Sequence, residues 1–237
     1  MTEESHLTNL IELNGIKLTP VIEFFPADFS RQDRRMPDGG AACAEWEPYW
    51  KSCLADSGVK GLNPIERGSC YVATSEITAE QLARALPVFL EDCGGLAELH
   101  DADSRPILSG GLALSAYRHG ILVLPTCCSD LSNLESWQTA AGYTGLSWEM
   151  LWIGHPWLSV KFQQPWLVLS NLHESDDPEA RWMVDPADLR NAITAAEEEL
   201  NRFKEQLAQV LTGLGFVGNA TQVAAALSGF RSAESNP

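Results

Sequence analysis

Two adjacent cysteines, Cys127 and Cys128, precede a histidine, His155, with the carboxylates Asp130 and Glu149 in between. These are the residue types of nucleophilic acyl transfer, in which a thiolate attacks, an imidazole takes its proton and a carboxylate orients the imidazole. In that reading Cys128, or Cys127, sits at the start of a helix beginning near Ser129, where the helix dipole and unpaired N–H groups favour the thiolate. His155 is then the base, and Asp130 or Glu149 its orienter. Each residue also has a plainer role. A cysteine packs as an inert thiol at a strand end, and a histidine between Gly154 and Pro156 bonds a backbone carbonyl and fixes a turn. Read with its flanks, the stretch is first a corner joining two β-hairpins around an aromatic core, and the cysteine-dependent enzyme of acyl transfer or hydrolysis is the alternative.

The signatures that name a reaction outright are missing. There is no Gly-rich phosphate loop with Lys-Ser/Thr, no G-x-G-x-x-G after a strand, no H-E-x-x-H and no G-x-S-x-G. The 6 cysteines are irregularly spaced, none as C-x2-C, and the neighbours Cys127 and Cys128 are not expected to ligate one metal together. His100-Asp101-Ala102-Asp103 reads as a solvated acidic loop, and Asp176-Asp177-Pro178-Glu179 as a turn with exposed acids. No metal and no cofactor are expected.

Tryptophan is the other conspicuous type: Trp46, Trp50, Trp137, Trp148, Trp152, Trp157, Trp166 and Trp182. Each can bury roughly 200 Å², and tryptophan is also a favoured anchor of protein interfaces. Core filling accounts for most of the set, and Trp152 is expected in the core. Trp157 falls on the outer face of a strand whose Leu158, Val160 and Phe162 point inward, and with Trp148 and Glu149 it makes the candidate partner-binding surface.

The elements that must position these residues set limits of their own. A chain of 237 residues, 45% hydrophobic, closes one sizeable core with room for a helical extension. Its 16 basic and 32 acidic residues give a net charge of −16, spread along the chain. That charge repels phosphate backbones and anionic lipid, so the partner classes exclude nucleic acid and membrane and favour a basic protein. Met1 to Pro20 carries Glu3, Glu4 and Glu12 and lacks the basic start and apolar run of a secretory signal. A cytoplasmic location with reduced thiols is therefore expected.

Residues 1–68 are the least regular part, with a long loop at Arg31 to Gly40 between a strand at Val21 to Phe25 and a helix at Trp46 to Leu54. Cys70 to Ser75 has strand composition, and Thr78 to Gln81 is a capping box opening a helix that Pro87 is expected to break before Gly94-Gly95. Gly110 to Tyr117 and Ile121 to Leu124 form a hairpin, followed by a helix capped by Ser129 or Ser132. Met150 to Ile153, Leu158 to Phe162 and Trp166 to Leu169 are further strands, the second with one buried and one open face. Asp185-Pro186 starts a helix with an unbroken stripe from Leu189 to Val210, ended by Gly213, and Asn219 caps a last helix over Ala220 to Leu227. The expected fold is α+β, mainly antiparallel sheet packed by helices with a C-terminal helical hairpin. Residues 1–185 form the α+β domain and 186–230 the hairpin, whose stripe packs on the same domain or forms a homodimer.

Leu124-Pro125-x-Cys127-Cys128-x-x-Leu131, with Trp137 and then Trp152-x-Gly154-His155-Pro156, resembles an uncharacterised bacterial family with a Pro-x-Cys-Cys element, a tryptophan-bearing helix and a Gly-His element. The resemblance covers residues 105 to 175. Many members carry an acid and a second proline around the Gly-His element, where this chain has Pro156-Trp157-Leu158. A shorter stretch, Leu86-Pro87-Val88-Phe89-Leu90 to Gly94-Gly95, is similar to SUKH-type proteins, many of which look like immunity proteins against bacterial toxins. What the resemblance implies is a protein-binding module of immunity-like type with a toxin-like, basic partner.

Overall fold

The computed structural model describes residues 10–102 and 105–230; residues 1–9 of the leader reading, Asp103 of the acidic loop and the tail from Ser232 lie outside the described residues. In chain order the elements are β1 (Ile11–Leu13), β2 (Lys17–Glu23), α1 (Pro26–Phe29), α2 (Trp46–Asp56), β3 (Tyr71–Ala73) and α3 (Ala79–Phe89). There follow β4 (Gly110–Ala116), β5 (Gly120–Val123), α4 (Leu134–Gly142), β6 (Glu149–Leu151), β7 (Leu158–Gln163), β8 (Trp166–Ser170), β9 (Ala180–Val184), α5 (Pro186–Gly213) and α6 (Ala220–Leu227). The fold is α+β. One sheet has the order β1-β9-β8-β7-β6 and the other β3-β2-β4-β5. The pairs β2–β3, β4–β5, β6–β7, β7–β8 and β8–β9 are antiparallel, whereas Ile11, Glu12 and Leu13 of β1 run parallel to Trp182, Met183 and Val184 of β9.

Contacts divide the chain into two units. The first comprises the chain to Thr19 with Gly111–Glu198, the second Pro20–Gly110 with the chain from Glu199 onward. The elements β2, β4 and α5 each run through both units.

The first unit buries continuous runs of its central strands. Leu167, Val168 and Leu169 on β8 and Leu158 and Val160 on β7 are buried, as are Leu189, Ile193 and Ala196 on α5. The expected open face of β7 is closed where Ser159 lies, at 4% exposure, because its backbone and hydroxyl are both satisfied inside. β1 and β9 escape periodicity because they are short and one side of the pairing is parallel.

In the second unit Phe24, Phe29 and Phe89 form a ring trio with centroids 5.2–5.5 Å apart, and the indole of buried Trp50 donates to the Phe24 carbonyl at 2.8 Å. The capping box of Thr78 and Gln81 opens α3 as expected. Pro87 does not break that helix: the missing N–H falls in the last turn, so α3 continues to Phe89 before Gly94 closes the following turn at φ 82°. The C-terminal hairpin forms at the expected bounds, with Asn219 accepting from the Gln222 N–H and Lys204 of α5 standing 4.7 Å from the ring of Phe230 beyond α6. Leu200, Phe203 and Leu207 of the stripe are buried within this unit.

Candidate functional site

The Cys127 to His155 stretch folds as the expected corner in the first unit. Thr126 N–H donates to Ile153 O at 2.9 Å, His155 N–H to Cys127 O at 2.9 Å, and the Thr126 hydroxyl faces the carbonyls of Ile153 and Pro156 at 2.9 and 2.8 Å. Gly154 makes the close approach possible. It holds φ 102°, and a Cβ there would lie 2.5 Å from Cys127 O and 2.6 Å from Thr126 O. Neither Ser129 nor Ser132 caps the helix after the corner, whose N-cap is Asn133 without a side-chain cap bond; Asp130 instead caps the 3-10 turn before it, its carboxylate accepting from both the N–H and the hydroxyl of Ser132. A 3-10 turn over Leu131–Asn133 then leads into α4. Cys128 thus precedes that turn instead of sitting on a helix N-terminus.

Of the nucleophile candidates, the corner brings Cys127 and His155 together as backbone partners across an isolated antiparallel bridge, while Asp130 is turned to Ser132. Cys127 and Cys128 are both exposed. Glu149 lies on β6, where it lines a hollow of about 230 Å³ with Glu135, Ser136, Thr139 and Met150.

What the corner presents outward is a group of rings. Trp152, expected in the core, is 36% exposed instead, because β6 ends at Leu151 and the chain turns out toward Gly154. Its indole stands nearly parallel to that of half-buried Trp157, centroids 6.5 Å apart at 23°. The exposed imidazole of His155 is edge-on to both, at 4.7 and 5.3 Å. Trp157 also pairs by backbone with His173, whose ring lies 5.8 Å away. The last candidate, Trp148, is half-buried and its face is occupied by the Lys161 ammonium at 4.6 Å.

His173 was not legible as a site residue. Its Nδ1 faces the Ser175 carbonyl at 2.7 Å and its Nε2 the Ser159 hydroxyl at 2.9 Å. A carbonyl only accepts, so Nδ1 carries a proton, and Nε2 shares a hydrogen bond with the Ser159 hydroxyl. That is the order of a serine–histidine dyad, but the burial of Ser159 closes the hydroxyl to a substrate; the pair locks β7 to the loop after β8. The same loop goes on from His173 through Glu174, Asp176, Asp177 and Glu179, all exposed, with Pro178 buried.

A second concavity, of about 520 Å³, lies in the second unit between Phe25, Asp28, Phe89, Asp92, Cys93 and the strand end at Glu23. Burial raises the Glu23 carboxyl above the usual range, opposed by the Cys70 thiol that donates to it at 3.5 Å and assisted by the charge of Asp28. Burial and then Glu23 push the Cys70 thiol up to about 12. Burial and Asp92 raise Asp28 as well.

Among the described residues no group of three or more His, Cys, Asp or Glu is placed to hold a metal ion, and no helix is long and apolar enough to cross a membrane. No family model, curated protein or solved structure matches the chain.

Proposed function

We propose that the chain is a protein-binding module of immunity-like type that seats a basic segment of a partner protein on the rings of Trp152, His155, Trp157 and His173. The observation that carries this reading is the pair of half-open, near-parallel indoles with the His173 ring against Trp157, in a loop that continues from His173 with four exposed acids. An arginine or lysine side chain gains from both: its cation lies over an indole face, and its N–H groups reach a carboxylate. The chain's net charge of −16 steers such a partner in from a distance. The short SUKH-like stretch adds the immunity-like class, and the module works in the bacterial cytoplasm, where Cys127 and Cys128 stay reduced.

The test is capture of a partner from extracts of the source cells by the full-length chain and by its Trp152→Ala/Trp157→Ala variant. The expected partner is basic, is released by salt and is lost by the variant. A partner held equally by both proteins contradicts the reading.

The exposure of both thiols, with the backbone of Cys127 bridged to that of His155, favours one second reading, a cysteine-dependent enzyme using Cys128 and His155. Alkylation by iodoacetamide at neutral pH, faster than for a simple thiol and confined to Cys127 or Cys128, supports it. Uniformly slow labelling rejects it.

A further inference from the structure

Adjacent side chains of an extended chain point to opposite sides. The sulfurs of Cys127 and Cys128 instead lie 3.3 Å apart, and both residues are open to solvent. The backbone is the cause. Cys128 holds φ 65°, a region that residues with a Cβ seldom enter, and this rotates its side chain to the side of its neighbour's. The turn is held there by Ser129 N–H to Thr126 O at 3.2 Å, by the His155 N–H on Cys127 O, and by the close approach that Gly154 permits. In this corner, which is not extended, both sulfurs of the neighbouring cysteines face the same side.

We propose that Cys127 and Cys128 form a preorganised two-sulfur site for a trivalent arsenical of the type R–As=O. With sulfur–metal bonds of about 2.3 Å, a 3.3 Å separation subtends an angle of about 90° at the bound atom. A tetrahedral zinc centre asks for about 109° and four donors. Trivalent arsenic, with its lone pair, bonds at nearly right angles and brings its own third substituent, so two protein sulfurs complete it. Thiolate softness selects such an ion over hard cations. A direct disulfide is the poorer outcome: consecutive Cα atoms are about 3.8 Å apart, below the roughly 4.4 Å lower limit of ordinary disulfides, and an inserted arsenic lengthens the ring by one atom. In the binding step two As–S bonds form and the As=O bond breaks. The oxygen leaves as water with both thiol protons, and arsenic stays trivalent.

The experiment is intact-mass analysis of the reduced full-length chain titrated with phenylarsine oxide, alongside Cys127→Ser, Cys128→Ser and, as control, Cys93→Ser. Both tested side chains are exposed, so serine leaves the core untouched. The expected result is one phenylarsenic group gained with loss of one water, stable to excess glutathione and removed by 2,3-dimercaptopropanol. Either Cys127→Ser or Cys128→Ser weakens binding roughly a hundredfold or more through loss of the second, intramolecular bond, and Cys93→Ser leaves it unchanged. An adduct that survives either of the first two substitutions, that glutathione removes, or that zinc displaces overturns the proposal. So does isolation of the chain with Cys127 and Cys128 already joined as a disulfide in the absence of added oxidant.

Discussion

Trp152 and Trp157 stand five positions apart in sequence yet lie as near-parallel rings, 6.5 Å between centroids, with the His155 ring edge-on to both at 4.7 and 5.3 Å. The corner that arranges them is fixed by backbone contacts rather than by burial of the rings. Its integrity can therefore be tested separately from the rings themselves.

Gly154→Ala should damage the corner most. Alanine at φ 102° is strained, and its methyl would meet the carbonyls of Cys127 and Thr126. Strain of this kind costs about 1–3 kcal/mol. The urea midpoint should fall accordingly, and an unchanged midpoint would show that the corner does not depend on that approach.

Asn133 supports the corner from beneath. Its buried side chain accepts from the Leu112 N–H at 3.1 Å and donates to the Ser129 hydroxyl at 3.2 Å. Asn133→Ala leaves a buried N–H without an acceptor, at a cost of about 1–3 kcal/mol. Urea unfolding checks this, and Asn133→Asp, which keeps the acceptor, should recover part of the loss.

How far the sequence revealed this arrangement differs from element to element. The capping box of Thr78, the stripe of α5 and the Asn219 cap were readable because each depends on local spacing, which tertiary contacts here reinforce. The corner was readable as a corner from Gly154 and Pro156. Trp152 was misplaced into the core, because an apolar run does not show where its strand stops hydrogen bonding. His173 and Ser159 were invisible for a different reason: their bond joins a strand interior to a distant loop, and no periodicity records such a pairing. The αL turn at Cys128 likewise has no glycine to announce it.

Acid should unfold the second unit in part through Asp56. Its side chain, 7% exposed, accepts from Arg34 Nε at 2.9 Å and Nη2 at 2.6 Å, and this pair above all holds the carboxyl below its usual range. A lowered pKa means that the stabilisation is present above the unfolded value of about 3.9 and is lost as pH falls through the folded one. Asp56→Asn should be less stable at neutral pH and flatter on the acid side in urea midpoints measured against pH. Parallel curves for the two proteins would contradict the assignment.

Glu23 should act with the opposite sign. Burial raises its carboxyl, so its contribution is fully favourable below the ordinary value of about 4.3 and is lost as pH rises through the folded value. Glu23→Gln should therefore gain stability at neutral pH, while a loss there would point to an ionised carboxylate that the fold needs. The Cys70 thiol, pushed up to about 12, should resist iodoacetamide in the folded protein.

The ring surface itself is tested most directly by the affinity of the captured partner for the wild type, Trp157→Ala and Trp148→Ala, measured by calorimetry across a salt series. Trp157→Ala should lose about 2 kcal/mol or more, the scale of an interface hot spot, and wild-type affinity should fall steeply with salt. Trp148→Ala, whose ring already carries Lys161, should change little. An unaltered affinity for Trp157→Ala, or an equal loss in both variants, would contradict the assignment of the docking surface to the Trp152–His155–Trp157 rings.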